Sequence, residues 1–219
     1  TLLPQPFTLD FVEKAQSMLG GKVYMNNAST AVSFRENAGQ HKIIHIGTHA
    51  ESNNLQPEFS RLIFSKNEAG EDNSLFLHDL YNCDLRSELA VLTACESGKP
   101  GYQDGEGMIS LAHAFNYAGS ESMVTGLWMI DEKASTLLME SFYDHLLKGM
   151  DKDEALRQAK LNYLASAKGR MLAPPYWAGL VLMGDTSPVM VEKKAFGWVW
   201  WVGGMLLILG VIVLVRRNK

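Results

Sequence analysis

One histidine and one cysteine stand just beyond two apolar runs of the sequence, where they could together perform covalent catalysis. His49 comes three residues after the run 42–46 (KIIHI), and Cys95 comes two residues after the run 89–93 (LAVLT). Both runs are typical of buried strands, and ligands of open α/β sheets bind at the carboxyl ends of the strands. If the two strands are neighbours, a thiolate nucleophile and a general base converge, which is the minimum for acyl transfer.

The residues around Cys95 favour an accessible thiol. Ala94 precedes it, and Glu96, Ser97 and Gly98 form a turn of mostly small residues after it. Three further glycines up to residue 107 keep the following loop open to an extended substrate. A single cysteine after a buried strand is, however, most often a small core residue. The spacing alone therefore indicates a candidate nucleophile and leaves a structural role open.

The neighbouring histidine and the second cysteine are expected to be structural. His45 alternates with isoleucines inside its strand, as a core histidine does, and no third ligand stands near enough to make a metal site with His49. Cys83 lies in an amphipathic stretch (YNCDL), although a disulfide with Cys95 stays open and would inactivate the nucleophile. We predict no metal and no cofactor.

Strands that alternate with helices must position these residues. The sequence predicts strands at 22–25, 42–46, 61–64, 89–93, 122–128 and 176–183. It predicts helices at 11–19, 29–36, 77–81, 105–117, 131–147 and 151–167. This alternation indicates an α/β fold with a mainly parallel sheet flanked by helices. Asp131 is expected to be the N-cap of the long helix; if it faced the cleft instead, its carboxylate could select a basic P1 residue.

The composition excludes several classes of protein. The 219 residues are 47% hydrophobic and 20% charged, which excludes a disordered chain. Two cysteines are too few for a disulfide framework. A formal net charge of -4 offers no surface that would neutralise phosphates, so we expect no nucleic-acid partner.

The C-terminal run 196–215 differs in composition from the rest of the chain. It holds 20 residues without a charge, and a helix of this length spans about 30 Å, the thickness of a bilayer core. Three tryptophans stand near its start, with two lysines before the run and three cations after it. The sequence therefore predicts a linker at 188–195, a single transmembrane helix at 196–215 and a basic tail at 216–219. The cation balance favours a cytoplasmic tail, with the globular part outside.

Four strings, in order, resemble a known family. They are IIHIGTHA, LAVLTACESG, GEGMISLAHAFNYAGSESMVTGLWMIDEKASTLLMESFYDHLL and PPYWAGLVLMGD. Together they resemble a CHAT domain, the caspase-like module often found behind tetratricopeptide repeats and related to caspases, gingipains and separase. The resemblance runs from about Gly20 to Asp185 and implies a CHAT domain with a caspase-like α/β fold at 20–187. Because the chain begins at Thr1 rather than Met, the segment 1–19 is expected to continue from an upstream region.

The resemblance also implies cysteine endopeptidase chemistry. The second histidine of the family's H-x-x-x-H-G string is its general base and corresponds to His49, and the cysteine of its S-A-C-E-T-G string is its nucleophile and corresponds to Cys95. Glu96 belongs to the same motif and is expected to shape the turn. The backbone N–H groups of Cys95 and Ala50 would hold the oxyanion, although Ala50 replaces the usual glycine and disfavours a positive φ.

Three functions stay open on the sequence alone. The first is a membrane-anchored cysteine endopeptidase that acts on a protein or peptide substrate and is regulated by an upstream or partner module. The second is a catalytically silent caspase-like scaffold for protein interactions at the membrane, and the third is a hydrolase or transferase for a small acyl substrate. The presence of both His49 and Cys95 favours the endopeptidase, because a scaffold has no need of the pair.

Overall fold

The computed structural model describes residues 6–51, 53, 56–66, 73–93 and 106–190. The chain divides into two compact units, Thr1–Val189 and Met190–Lys219, and of the second unit only Met190 lies within the described residues. All the elements that follow belong to the first unit.

The described residues contain seven strands and six α-helices. The strands are β1 (Ile43–Ile46), β2 (His49–Glu51), β3 (Arg61–Ile63), β4 (Ser74–Phe76), β5 (Leu89–Leu92), β6 (Ser122–Gly126) and β7 (Leu180–Gly184). The helices are α1 (Pro6–Leu19), α2 (Ala31–Asn37), α3 (Leu77–Leu80), α4 (Glu106–Tyr117), α5 (Glu132–Leu147) and α6 (Lys152–Ser166). The predicted mixed α/β class is confirmed.

The central sheet contains β1, β5, β6 and β7 in that order. β1, β5 and β6 are parallel, with Ile46 opposite Leu92 and Leu92 opposite Thr125, whereas β7 runs antiparallel to β6. All residues of β5 and β6 are buried, as expected for strands whose two faces are both covered. The neighbourhood of β1 and β5, on which convergence of the candidate residues depends, is therefore confirmed.

A second, antiparallel sheet of three short strands follows β1 directly. β2 pairs with β3, with His49 opposite Ile63 and Glu51 opposite Arg61, and β3 pairs with β4. Of these strands the sequence predicted only β3. A strand of three residues is too short to show a period of two, which explains why β2 and β4 escaped prediction.

Two predicted strands differ from the structure. The strand at 22–25 is wrong: these residues follow Gly20 and Gly21, whose φ angles of 72° and 90° turn the chain away from α1, and no described strand pairs with them. The last strand begins at Leu180 rather than at 176, because Pro174–Tyr176 form a short 3-10 helix. Neither difference alters the layers of the fold.

Helices cover both faces of the central sheet. One face carries an apolar core shared with α2, α3 and α4, whose members include Ile44, Leu92, Phe34, Leu80 and Phe115. His45 points to the opposite face because side chains alternate along a strand, and there its ring lies against Phe11 of α1 and Tyr143 of α5. α6 packs on α5 and β7 and completes this second layer.

The predicted membrane segment lies outside the described residues, as do the basic tail at 216–219 and the linker from residue 191 onward. In the part of the chain that the structure describes, no helix is both long enough and apolar enough to cross a bilayer.

Thr125 of β6 carries a hydroxyl whose removal is expected to stabilise the fold. The residue is fully buried, and its Oγ1 atom has no hydrogen-bond partner among the described residues. Because an unsatisfied buried hydroxyl costs free energy and valine has nearly the same shape, Thr125→Val is expected to raise the free energy of unfolding by about 1 kcal/mol. Urea-induced unfolding of both proteins measures the difference. A lower free energy of unfolding in the variant would show that the hydroxyl is satisfied after all.

Candidate active site

The carboxyl ends of β1 and β5 lie side by side and define the candidate site. The backbone N–H of Thr93, the residue after β5, donates a 3.1 Å hydrogen bond to the carbonyl of Ile46, the last residue of β1. From these points the chain continues to His49 and to Cys95 respectively. Cys95 and Glu96 lie outside the described residues, so the geometry of the site is that of the strand ends and of His49.

His49 is positioned by the second sheet. It is the first residue of β2 and lies opposite Ile63 of β3. The hydroxyl of Thr48 donates a hydrogen bond to the carbonyl of Ile63, which ties the turn between β1 and β2 to the same strand. The partly buried His49 is thereby held at the edge of the central sheet where ligands of such folds bind.

The turn that leads to His49 passes close to the N-terminal helix. A Cβ atom on Gly47 would lie 2.6 Å from Cγ2 of Thr8 in α1, so a larger residue at this position would force the side chain of Thr8 to shift. The backbone N–H of Thr8 donates a 2.9 Å hydrogen bond to the carboxylate of Glu132 at the start of α5. α1 thus packs between the start of α5 and the segment that carries the candidate base.

Ala50, which is predicted to contribute an oxyanion N–H, lies in the middle of β2. Its side chain is fully buried, and it lies opposite Leu62 of β3. Among the described residues other than glycine, only Asn26 and Arg86 have a positive φ. Alanine in place of glycine therefore strains nothing at position 50, while the oxyanion role of its N–H stays a prediction.

Asp131 is the N-cap of α5. Its carboxylate accepts a 3.0 Å hydrogen bond from the backbone N–H of Ala134, which confirms the predicted cap. Burial and, after it, the negative charge of Asp131 raise the pKa of Tyr163 on α6. The exposed carboxylate of Asp131 thus lies at the start of α5, near α6. Its selection of a basic P1 residue stays a prediction.

His45 has two hydroxyl partners. Its Nδ1 lies 2.6 Å from the hydroxyl oxygen of Tyr143, and its Nε2 lies 3.0 Å from Oγ1 of Thr93. Burial lowers the pKa of His45 to about 4, so the ring is neutral at pH 7. Because both ring nitrogens have hydroxyl partners, the predicted structural role of His45 is confirmed.

Neither Thr93 nor Tyr143 was predicted as a partner of His45. One signal could have pointed to Tyr143, which falls at helical spacing with Met139 and Leu146 on the buried face of α5. A hydroxyl on such a face needs a hydrogen-bond partner, and a histidine inside an apolar strand needs one too. Tyr143 and His45 can therefore each supply the hydrogen-bond partner that the other needs.

Cys83 is a free thiol in a place unsuited to catalysis. It packs partly buried against the core, with Sγ 3.5 Å from the carbonyl oxygen of Asp79. Burial raises the pKa of the thiol, which lowers the thiolate fraction at neutral pH. The predicted structural role of Cys83 is therefore confirmed, and Cys83 is a free thiol in this structure.

Fold and strand-end geometry together define a mixed α/β protein of the caspase-like type, with a mainly parallel sheet flanked by helices. The family model of the CHAT domain matches residues 3–185, and the chain belongs to this caspase-like, cysteine-peptidase-type family. Similar proteins include tetratricopeptide repeat protein 28 of Mus musculus and that of Homo sapiens, each 30% identical over 119 residues. The match covers 54% of this chain, which spans only 5% of the length of each of these curated relatives.

Proposed function

We propose that this chain is a cysteine endopeptidase with Cys95 as nucleophile and His49 as general base. The observation that carries the proposal is the parallel pairing of β1 with β5, since each of the two residues comes three positions beyond the end of its strand. Neighbouring parallel strands end at the same edge of a sheet, which is the edge where ligands of such folds bind. Membership of a cysteine-peptidase-type family supports the assignment.

The proposed reaction has two steps. The Cys95 thiolate attacks the scissile carbonyl carbon and forms a C–S bond; the C–N bond breaks, and protonated His49 gives its proton to the leaving amine. Water then attacks the acyl carbon and gives a proton to His49, a C–O bond forms, and the C–S bond breaks to restore the thiolate. The backbone N–H groups of Cys95 and Ala50 hold the oxyanion in both steps.

The proposal includes four further roles around this chemistry. Glu96 shapes the turn after the nucleophile, and Asp131 selects a basic P1 residue. The run 196–215 anchors the protein in a membrane with the globular part outside. An upstream or partner module regulates the site, a role supported by the similarity to tetratricopeptide repeat proteins.

Thiol labelling tests the proposed pair directly. In the full 219-residue chain at pH 7, Cys95 is expected to react with iodoacetamide at least about tenfold faster than Cys83, because a neighbouring imidazole lowers a thiol pKa and burial raises that of Cys83. His49→Ala is expected to remove this advantage. Mass spectrometry of the two cysteine-containing peptides gives both rates from one sample.

The labelling has an internal reference and a matched variant. Cys83 is the reference within each sample, and His113→Ala, at an exposed histidine of α4, should leave the ratio of rates unchanged. Equal rates for the two cysteines, with or without His49, would favour the catalytically silent scaffold.

A further inference from the structure

A side-chain bridge joins the ends of β1 and β5 on the face covered by α1 and α5. His45 is the third residue of β1, and its Nε2 lies 3.0 Å from Oγ1 of Thr93, the first residue after β5. Its Nδ1 lies 2.6 Å from the hydroxyl oxygen of Tyr143 on α5. Two strand ends and one helix therefore meet at a single imidazole ring, and we name these three side chains the His45 clasp.

Aromatic packing and paired hydrogen bonds fix the orientation of the clasp. Tyr143 is fully buried, and the ring of Phe11 lies 5.1 Å from that of His45 and 6.0 Å from that of Tyr143, centroid to centroid. A neutral imidazole has one donor nitrogen and one acceptor nitrogen, and each hydroxyl can take the complementary part. Rotation of the ring would break both contacts, so the side chains of His45, Thr93 and Tyr143 hold one another in one arrangement.

Core packing alone does not require a histidine at position 45. The adjacent residues of β1, Ile44 and Ile46, are apolar and fill the core on the other face. A buried polar group costs free energy unless it is hydrogen-bonded, so an apolar residue would give a simpler core.

The sequence positions of the clasp residues indicate the role of the clasp. Thr93 stands two residues before Cys95, and His45 stands four residues before His49. Thr93 also lines a cleft at this end of the sheet, together with Glu132 of α5. The bridge therefore ties together the two strand ends that lead to the proposed nucleophile and base.

We infer that the His45 clasp fixes the orientation of the chain where it leaves the paired ends of β1 and β5, and thereby positions His49 and Cys95 for proton transfer. Its members are positioning residues, and the inference rests on the proposed function, which it deepens. A displacement of about 1 Å between reacting groups can slow a reaction about a hundredfold, and loss of one clasp hydroxyl, with the β1–β5 backbone pairing intact, is expected to slow it about tenfold.

Substitutions that remove one hydroxyl and keep the shape test the clasp. In the full 219-residue chain, Thr93→Val and Tyr143→Phe are each expected to slow the His49-dependent alkylation of Cys95 by iodoacetamide about tenfold, and to move the midpoint of its pH profile upward. Thr93→Ser, which keeps the hydroxyl, is expected to retain the wild-type rate and midpoint. Thr125→Val makes the same change on the neighbouring strand and should leave both unchanged.

Each outcome decides between the possible roles. Urea-induced unfolding of the same samples separates a loss of stability from a loss of positioning, and if one variant does not fold, the other decides. Wild-type rates in Thr93→Val and Tyr143→Phe would overturn the inference and leave His45 as a core residue. A wild-type rate of Cys95 alkylation in His49→Ala would overturn the proposed function itself, and the inference with it.

Discussion

Cys95→Ala is expected to lower kcat/KM for peptide cleavage by about a thousandfold or more, because the proposed acyl transfer has no second nucleophile. Cys83 cannot take over, since its thiol packs partly buried against the core and burial raises its pKa. Cleavage of a peptide library by the wild-type chain and the variant, at equal protein concentration, measures the effect. Cys83→Ala is the matched control and should cleave as the wild type does.

The same peptide-cleavage assay tests the proposed general base, His49, independently of Cys95. His49→Ala is expected to lower the rate by a factor between about a hundred and about ten thousand, as removal of a general acid–base group does. Alanine keeps the backbone pairing of β2 with β3 opposite Ile63, so the fold should survive the change. Cleavage that persists at the wild-type rate in both Cys95→Ala and His49→Ala would eliminate the proposed mechanism.

The pairing of β1 with β5 could be anticipated from the sequence. Both runs are apolar almost without interruption, which is typical of buried parallel strands, and β5 lies inside the sheet with β1 beside it at the edge. The structure pairs them from Ile43 opposite Leu89 to Ile46 opposite Leu92. Because the edge where these strands end follows from a general rule of α/β folds, the location of His49 could be predicted before any geometry was known.

The contacts that position the site could not be predicted from the sequence, for a physical reason. His45 and Tyr143 are 98 residues apart along the chain, and His45 and Thr93 are 48 apart, so only the packing of α5 on the sheet brings them together. The strand that begins at His49 is three residues long and exists because β3 pairs with it. A local sequence pattern shows the periodicity of a helix or strand but not which distant residues it contacts. The hydrogen bonds of His45 and the strand that begins at His49 both depend on such distant contacts.

Lowering the pH from 6.5 to about 4 is expected to reduce the free energy of unfolding by about 3 kcal/mol through His45 alone. Burial lowers the pKa of this imidazole from 6.5 to about 4 in the folded state. Between these values the unfolded chain binds a proton that the folded chain does not, so stability rises with pH across the window. The contribution is fully present above pH 6.5 and is lost as the pH falls toward 4, as urea-induced unfolding across this range would measure.

A comparison of variants separates His45 from the carboxylates that titrate in the same range. His45→Gln has no imidazole to protonate, so its free energy of unfolding should fall less between pH 6.5 and 4 than that of the wild type, by about 3 kcal/mol. His113→Gln, at an exposed position of α4, should follow the wild type. The NMR titration of the His45 ring in the wild type gives the pKa directly. A midpoint near 6.5 would contradict the prediction, because burial disfavours the charged form of the ring.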